Sequence, residues 1–87
     1  MWFVYVLQCA DGSFYVGEAG DLAQRLAAHE NGNAAAHSAK RRPVKLVYAE
    51  EHASRRLALA RERQIKGWTR SKKAALISGD GALLKRL

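Results

Sequence analysis

The sequence predicts an α+β domain in which a small three-stranded antiparallel sheet is flanked by helices, in the order ββαβαα. Three observations carry that expectation. Residues 2–9 (WFVYVLQC) form a dense β-branched and aromatic run, the mark of a buried strand. Asp11-Gly12 follows it directly, and an Asp-Gly pair between apolar runs is the strongest short hairpin signal. The second half then carries two stretches of helical periodicity separated by Gly67.

Each element follows from local chemistry. Ser13 to Gly17 (SFYVG) returns as the second strand. The hairpin loop decides its register. A two-residue loop sets Tyr15 opposite Gln8, on the other face from Tyr5. A three-residue loop, Ala10-Asp11-Gly12 with Gly12 left-handed, sets Tyr15 opposite Leu7 and Gly17 opposite Tyr5. Both phenols then share one face, because strand side chains alternate with period two. The bulged loop is predicted. Gly20-Asp21 breaks the chain, and Asp21 can cap a helix with Gln24 three residues on, a capping-box-like pattern. That helix turns Leu22, Leu26 and flanking alanines inward and stops near Asn31-Gly32. Residues 32–43 (GNAAAHSAKRRP) read as a basic loop. Val44 to Glu50 alternates as a third strand, with Val44, Leu46 and Tyr48 on one face. Ser54 to Lys66 is a long helix offering Leu57, Ala58, Ala60 and Ile65 for packing, and Gly67 ends it. Thr69 or Ser71 caps a further helix through Ile77, and a last short turn is expected from Asp80 to Leu87.

Composition limits the function. The 87 residues suit one domain spanning 1–87, and a hydrophobic content of 48% suits a folded chain. No apolar run approaches the ~18 residues that cross a bilayer. The opening Met1-Trp2-Phe3-Val4 has no basic segment of the secretory kind. Cys9 is the sole cysteine; it reads as a buried strand residue, with a reducing, cytoplasmic setting the expectation. Lys and Arg number 15 against 8 acids, a net charge of +7, which favours capture of a polyanion and makes nucleic acid the expected partner.

Candidate chemistry is scattered along the chain. Tyr5 and Tyr15 share a strand face if the bulged loop forms. Arg25 and His29, four apart, share a helix face; the first offers a planar fork for phosphate, the second a group that can exchange a proton. Glu62 stands in RERQIK as a hard oxygen ligand of the kind Mg²⁺ or Mn²⁺ takes, often with only one or two carboxylates and several waters. Lys40, Arg41 and Arg42, with Lys66, Arg70, Lys72 and Lys73, are plausible phosphate contacts. Taken singly, each of these residues is also ordinary as a half-buried strand aromatic or a solvated helix charge. His29, His37 and His52 lack metal-ligand spacing, which disfavours zinc. Neither GxxxxGKS nor GxGxxG occurs, and Trp68 reads as packing a helix junction.

Together these residues resemble the GIY-YIG nuclease superfamily, and most closely its small stand-alone bacterial members. The first signature half matches as Val4-Tyr5, preceded by Phe3 where the name has Gly. The second is Tyr15-Val16-Gly17, followed by Asp21-Leu22-xx-Arg25-Leu26-xx-His29. Arg-Arg-Pro-Val-x-Leu-Val-Tyr (41–48) and Glu-x-Gln-Ile-Lys-Gly-Trp (62–68) look like two later blocks. The resemblance implies phosphodiester cleavage with a divalent metal, Mg²⁺ or Mn²⁺. Tyr5 and Tyr15 match the signature tyrosines, Arg25 the catalytic arginine, His29 the helix histidine and Glu62 the metal-binding glutamate. Glu18 stands where excision-repair relatives carry a catalytic lysine. His37-Ser38 stands where relatives often have Tyr-Thr, making His37 a loop substitute. The late asparagine of the superfamily has no clear match. The expected activity is endonuclease-type hydrolysis of DNA, with RNA left open and little sequence specificity. The alternative is a catalytically weak or inactive nucleic-acid-binding domain, and the base is a tyrosine with His29 as its rival.

Overall fold

The computed structural model describes residues 1–79; the expected turn from Asp80 lies outside them. The elements are β1 (Trp2–Gln8), β2 (Phe14–Ala19), α1 (Leu22–Glu30), α2 (Ala36–Ala39), β3 (Lys45–His52), α3 (Arg55–Lys66) and α4 (Arg70–Ser78). The predicted order is present, with one addition: the stretch read as a basic loop contains the helical turn α2. The strands form one antiparallel sheet in the order β2-β1-β3. β1 is central and covered on both sides, which is why its sequence has no polar face. Val4 and Val6 pack with Val16, Ala58, Ile65 and Leu76. Tyr5 and Leu7 point the other way, packing with Ala19, Tyr15, Leu22 and Leu26.

The hairpin closes with the bulged, three-residue loop. The Gly12 amide donates to the Cys9 carbonyl at 2.9 Å and the Cys9 amide to the Ser13 carbonyl at 2.8 Å. Gly12 has φ +85°, a conformation costly for a residue with a Cβ. Tyr15 therefore faces Leu7, and Gly17 faces Tyr5. The Asp11 carboxylate accepts from both the Ser13 hydroxyl and amide, and these bonds, with Arg41 beside it, hold its acidity near a pKa of about 2. Cys9 is buried at the strand's end.

Helix starts follow the capping residues. Asp21 accepts from the Gln24 amide at 3.0 Å, Ser54 from the Leu57 amide at 3.2 Å, and Thr69, not Ser71, from the Lys72 amide at 3.2 Å. α1 buries Leu22 and Leu26 in part, whereas Ala23 and Ala27 stay exposed; its fully buried residue is His29.

Two packing expectations are corrected. Val6 pairs with Tyr48 and Leu7 with Leu46, so Val47 is an extra residue on β3. This bulge reverses which side the chain presents. Val47 and Tyr48 pack beside Val4 and Val6, Val44 packs with Tyr5 and Leu7, and Leu46 is exposed. Val44, Leu46 and Tyr48 thus do not share a face. On α3, Ala58 and Ile65 are buried as expected, but Leu57 is 53% exposed and Ala60 is exposed. The inward stripe runs 58, 62, 65, and each step along a helix turns a side chain by about 100°, which carries 57 and 60 away from the sheet.

Beyond the bulge, a polar network ties β3 to α3. The Tyr48 hydroxyl donates to Glu50 Oε1 at 2.6 Å, His52 Nε2 bonds Glu50 Oε2, and Arg61 Nε donates to both carboxylate oxygens at 3.2 and 3.1 Å. Burial pushes the Glu50 carboxyl up, but the three donors outweigh it and leave the group below its usual range. Burial and the Glu50 charge push the Tyr48 phenol up to about 12. The Arg61 guanidinium also lies over the Trp68 ring at 5.1 Å, fixing the junction of α3 and α4. No helix among the described residues is long and apolar enough to cross a membrane.

Glu50→Ala is expected to destabilise the fold by about 1–3 kcal/mol, since it strands Arg61 and the Tyr48 hydroxyl without their acceptor. Chemical denaturation of wild type and variant measures it.

Candidate active site

The site is organised around the buried hydroxyl of Tyr5. Its ring crosses from the central strand over β2, at the position opposite Gly17. A Cβ on residue 17 would lie 2.5 Å from Tyr5 Oη and 2.6 Å from Tyr5 Cζ, inside contact distance. The glycine is therefore required by close approach of the Tyr5 ring. In the sequence Gly17 is visible as part of a motif, but its reason lies across the sheet.

The Tyr5 hydroxyl is linked to a chain of hydrogen bonds. Tyr5 Oη lies 2.8 Å from His29 Nε2, His29 Nδ1 lies 2.6 Å from Ser38 Oγ, and the Ser38 hydroxyl donates to the Ala35 carbonyl at 3.2 Å. With the serine proton committed to the carbonyl, Nδ1 carries the imidazole hydrogen and Nε2 accepts from Tyr5. Burial pushes His29 below its usual 6.5, and the Arg25 charge adds to the effect. The imidazole is thus neutral at neutral pH. Burial likewise pushes the pKa of the Tyr5 phenol well above its usual value, with Tyr15 and Glu62 acting in the same direction and Arg25 opposing them. Tyr5, Tyr15 and His29 thus pack together from two strands and a helix, while Arg25 and Glu62 act on the hydroxyl as charges.

Tyr15 lies against the same histidine. Their ring centroids are 4.9 Å apart at 61°, and Tyr15 is 6.3 Å from Tyr5 at 39°. His37, on α2, is 6.2 Å from Tyr15 on another side. Its Nε2 lies 3.0 Å from Ser13 Oγ, whose own proton goes to Asp11. So the turn α2 brings two groups to the site, His37 and Ser38. Ser38 is the residue that reading the sequence misses, because a serine in an alanine-rich stretch carries no signal of a distant histidine partner.

Glu62 occupies the inward stripe of α3, its side chain 14% exposed, with the Lys66 ammonium on Oε1. Among the described residues no three His, Cys, Asp or Glu side chains are grouped to enclose a metal. A single carboxylate of this kind fits a hard ion that keeps most of its waters. Lys66, one turn on, pairs with it as i,i+4 charges on a helix do.

A cleft of about 490 Å³ follows the outer side of β2, lined by Trp2, Glu18, Asp21, Gln24, Arg25 and Arg55 among others. Glu18 is 12% exposed at its side chain and bonds Arg55 through Oε1 at 3.4 Å; its Oε2 is buried without a partner.

The expected phosphate contacts are otherwise occupied in good part. Arg41 pairs with Asp11 at 2.8 Å and donates to the His37 carbonyl at 3.0 Å. Arg42 donates to the carbonyls of Ala39 and Glu30. Arg70 donates to the Gly12 carbonyl at 2.7 Å and lies over Phe14. Lys72 lies 4.4 Å over Trp68, and Lys66 holds Glu62. Lys40 is exposed and Lys73 half-buried.

Comparison with known proteins identifies the family and the fold. The family model described as the GIY-YIG catalytic domain matches residues 1–75. A UPF0213 protein of Bacillus pumilus is 48% identical over 71 residues, covering 82% of this chain and 72% of that protein. A UPF0213 protein of Staphylococcus saprophyticus is 45% identical over 76 residues, covering 87% and 93%. The solution structure of a UPF0213 protein from Bacillus halodurans superposes with a TM-score of 0.60 at 35% identity, covering 93% of this chain and 87% of that one.

Gly17→Ala is expected to displace the Tyr5 ring, break its bond to His29 and cost about 1–3 kcal/mol as overpacking does, read as a lowered unfolding midpoint together with changed His29 ring shifts by NMR. Acid should also weaken the fold through His29. The unfolded chain takes up this proton near 6.5, while the folded chain resists it to lower pH, so the unfolded state binds more protons in that window. Stability should be full above pH 6.5 and fall as pH drops below it; His29→Asn should flatten that slope in pH-dependent melts.

Proposed function

The chain belongs to the GIY-YIG catalytic domain family, and from that premise we propose that it is a nuclease hydrolysing phosphodiester bonds of DNA, with little sequence specificity and with one Mg²⁺ or Mn²⁺ ion. The observation that carries this reading is the packing of Tyr5, Tyr15 and His29 against one another, within electrostatic reach of Arg25 and Glu62.

A phosphodiester repels nucleophiles because it is already anionic, so hydrolysis needs the phosphate neutralised and a water activated. Arg25 supplies a planar fork for the non-bridging oxygens. Glu62, released by Lys66, is the residue that would hold the divalent ion, whose chemistry is charge neutralisation at the reacting phosphate. The base is a tyrosine, and it is Tyr15: Tyr5 is fully buried against His29, whereas Tyr15 is half-buried beside them, where a water can reach it. Acting as a phenolate, Tyr15 Oη takes a proton from that water; the water becomes the attacking hydroxide and Tyr15 a neutral phenol. The Tyr5–His29 pair packs against the Tyr15 ring and holds it in place, with His37 as its other neighbour. The cytoplasm, where a single buried thiol stays reduced, is the proposed setting.

A second reading, nucleic-acid binding with weak catalysis, is favoured by one observation: Glu18 brings a part-buried carboxylate into the cleft that holds Arg25.

Incubation with Mg²⁺ or Mn²⁺ and single-stranded, duplex or branched DNA tests both. Metal-dependent cutting is expected from wild type, reduced about 100-fold or more in Tyr15→Phe, Arg25→Ala and Glu62→Ala. DNA bound but left uncut by wild type would favour the second reading. Equal cutting by wild type and Glu62→Ala would trace the activity to a contaminant.

A further inference from the structure

We propose that the nucleic-acid strand leaves the Arg25 cleft past Arg55 and runs along the outer face of α3, its phosphates held by Arg55, Arg56 and Arg63. This path rests on the nuclease reading and adds to it the surface that carries the substrate beyond the scissile bond.

Three independent observations lead to α3. The first is which cations are free to bind. Arg41, Arg42, Lys66, Arg70 and Lys72 all have internal partners that hold the fold. Arg56 and Arg63 are exposed, and among the described residues neither side chain has an ion-pair or hydrogen-bond partner. A cation without an internal partner loses nothing when a phosphate takes it.

The second is continuity. A shallower cleft of about 440 Å³ is lined by Arg55, Arg56, Leu59, Ala60 and Arg63, and Arg55 lines the Arg25 cleft as well. The two grooves therefore meet at one side chain. The second groove presents three guanidinium groups and no acid, over an apolar floor of Leu59 and Ala60. Arg55 to Arg63 spans about 12 Å of helix at 1.5 Å per residue, room for three or four successive phosphates of one strand at roughly 3.4 Å of axis each.

The third is that Arg55 is positioned in advance. Its guanidinium lies 5.5 Å over the Trp2 ring and 3.4 Å from Glu18, yet its side chain remains 60% exposed. Stacking restricts its rotamers while leaving the donor fork open, which lowers the entropy lost on binding. Glu18, which lacks a second partner for its carboxylate, thereby holds Arg55 at the junction of the grooves.

Fluorescence anisotropy of a labelled 20-bp duplex, in EDTA to prevent cutting and over a range of salt concentrations, tests the path. Arg56→Ala/Arg63→Ala should bind about tenfold or more weakly near ~100 mM salt, and the slope of log affinity against log salt should shrink by about two. Arg56→Lys/Arg63→Lys should retain most of that slope. Lys45→Ala removes a cation outside both grooves and should change the slope by well under one. Circular dichroism melts confirm that these exposed substitutions leave the fold intact. A double alanine variant with wild-type affinity and slope, alongside weakened binding by Arg25→Ala, would overturn the path and leave the nuclease reading standing. Equal loss per cation at Lys45 would likewise overturn it, as general charge attraction. Wild-type protein with no affinity for DNA would remove both the path and the reading beneath it.

Discussion

The hydroxyl of Tyr5 has its acceptor, His29 Nε2, in a place from which water is excluded, and much of the remaining architecture follows from that bond. A buried phenol needs a partner, and the partner here is a fully buried imidazole that needs one of its own. Ser38 and the Ala35 carbonyl complete the chain. Satisfying it requires β1, α1 and α2 to be fixed relative to one another at once. It also requires β2 to have no side chain where the Tyr5 ring crosses, which is the role of Gly17. The same desolvation that makes the bond costly to break keeps both groups neutral.

The opposite face of the sheet supplies α3, the helix that carries Glu62. The bulge at Val47 turns Tyr48, Glu50 and His52 toward α3, where Glu50 accepts from Arg61. Arg61 is the residue immediately before Glu62. Anchoring it sets the rotation of the helix, so that 58, 62 and 65 face inward together and the carboxylate at 62 acts on Tyr5. Carboxylate and phenol belong to elements on different faces of one sheet: Tyr5 crosses the edge strand β2 on one side, and α3 packs against the other.

Charge on this molecule divides by what it does. Several cations that look like a phosphate-binding surface in the sequence are structural ties: Arg41 to the hairpin loop, Arg42 to the end of α1, Arg70 to the hairpin carbonyl of Gly12. A net charge of +7 attracts polyanions from a distance whichever groups carry it. Among the described residues, Arg56 and Arg63 of α3 are exposed guanidinium groups without an internal partner.

What the sequence by itself determined is local: the glycine-bearing hairpin loop that sets Tyr15 against Leu7, the caps at Asp21, Ser54 and Thr69, and the central apolar strand. Each depends on residues within a few positions of one another, where backbone sterics and short hydrogen bonds decide the outcome. The signature residues were legible too, because their types and spacing recur as a pattern. Tertiary structure alone decided why Gly17 has no alternative, that Ser38 completes the histidine's hydrogen bonds, that Val47 reverses the face of β3, and which arginines are free. All of these are set by groups that meet only when distant segments pack, so no window along the chain contains the information that specifies them.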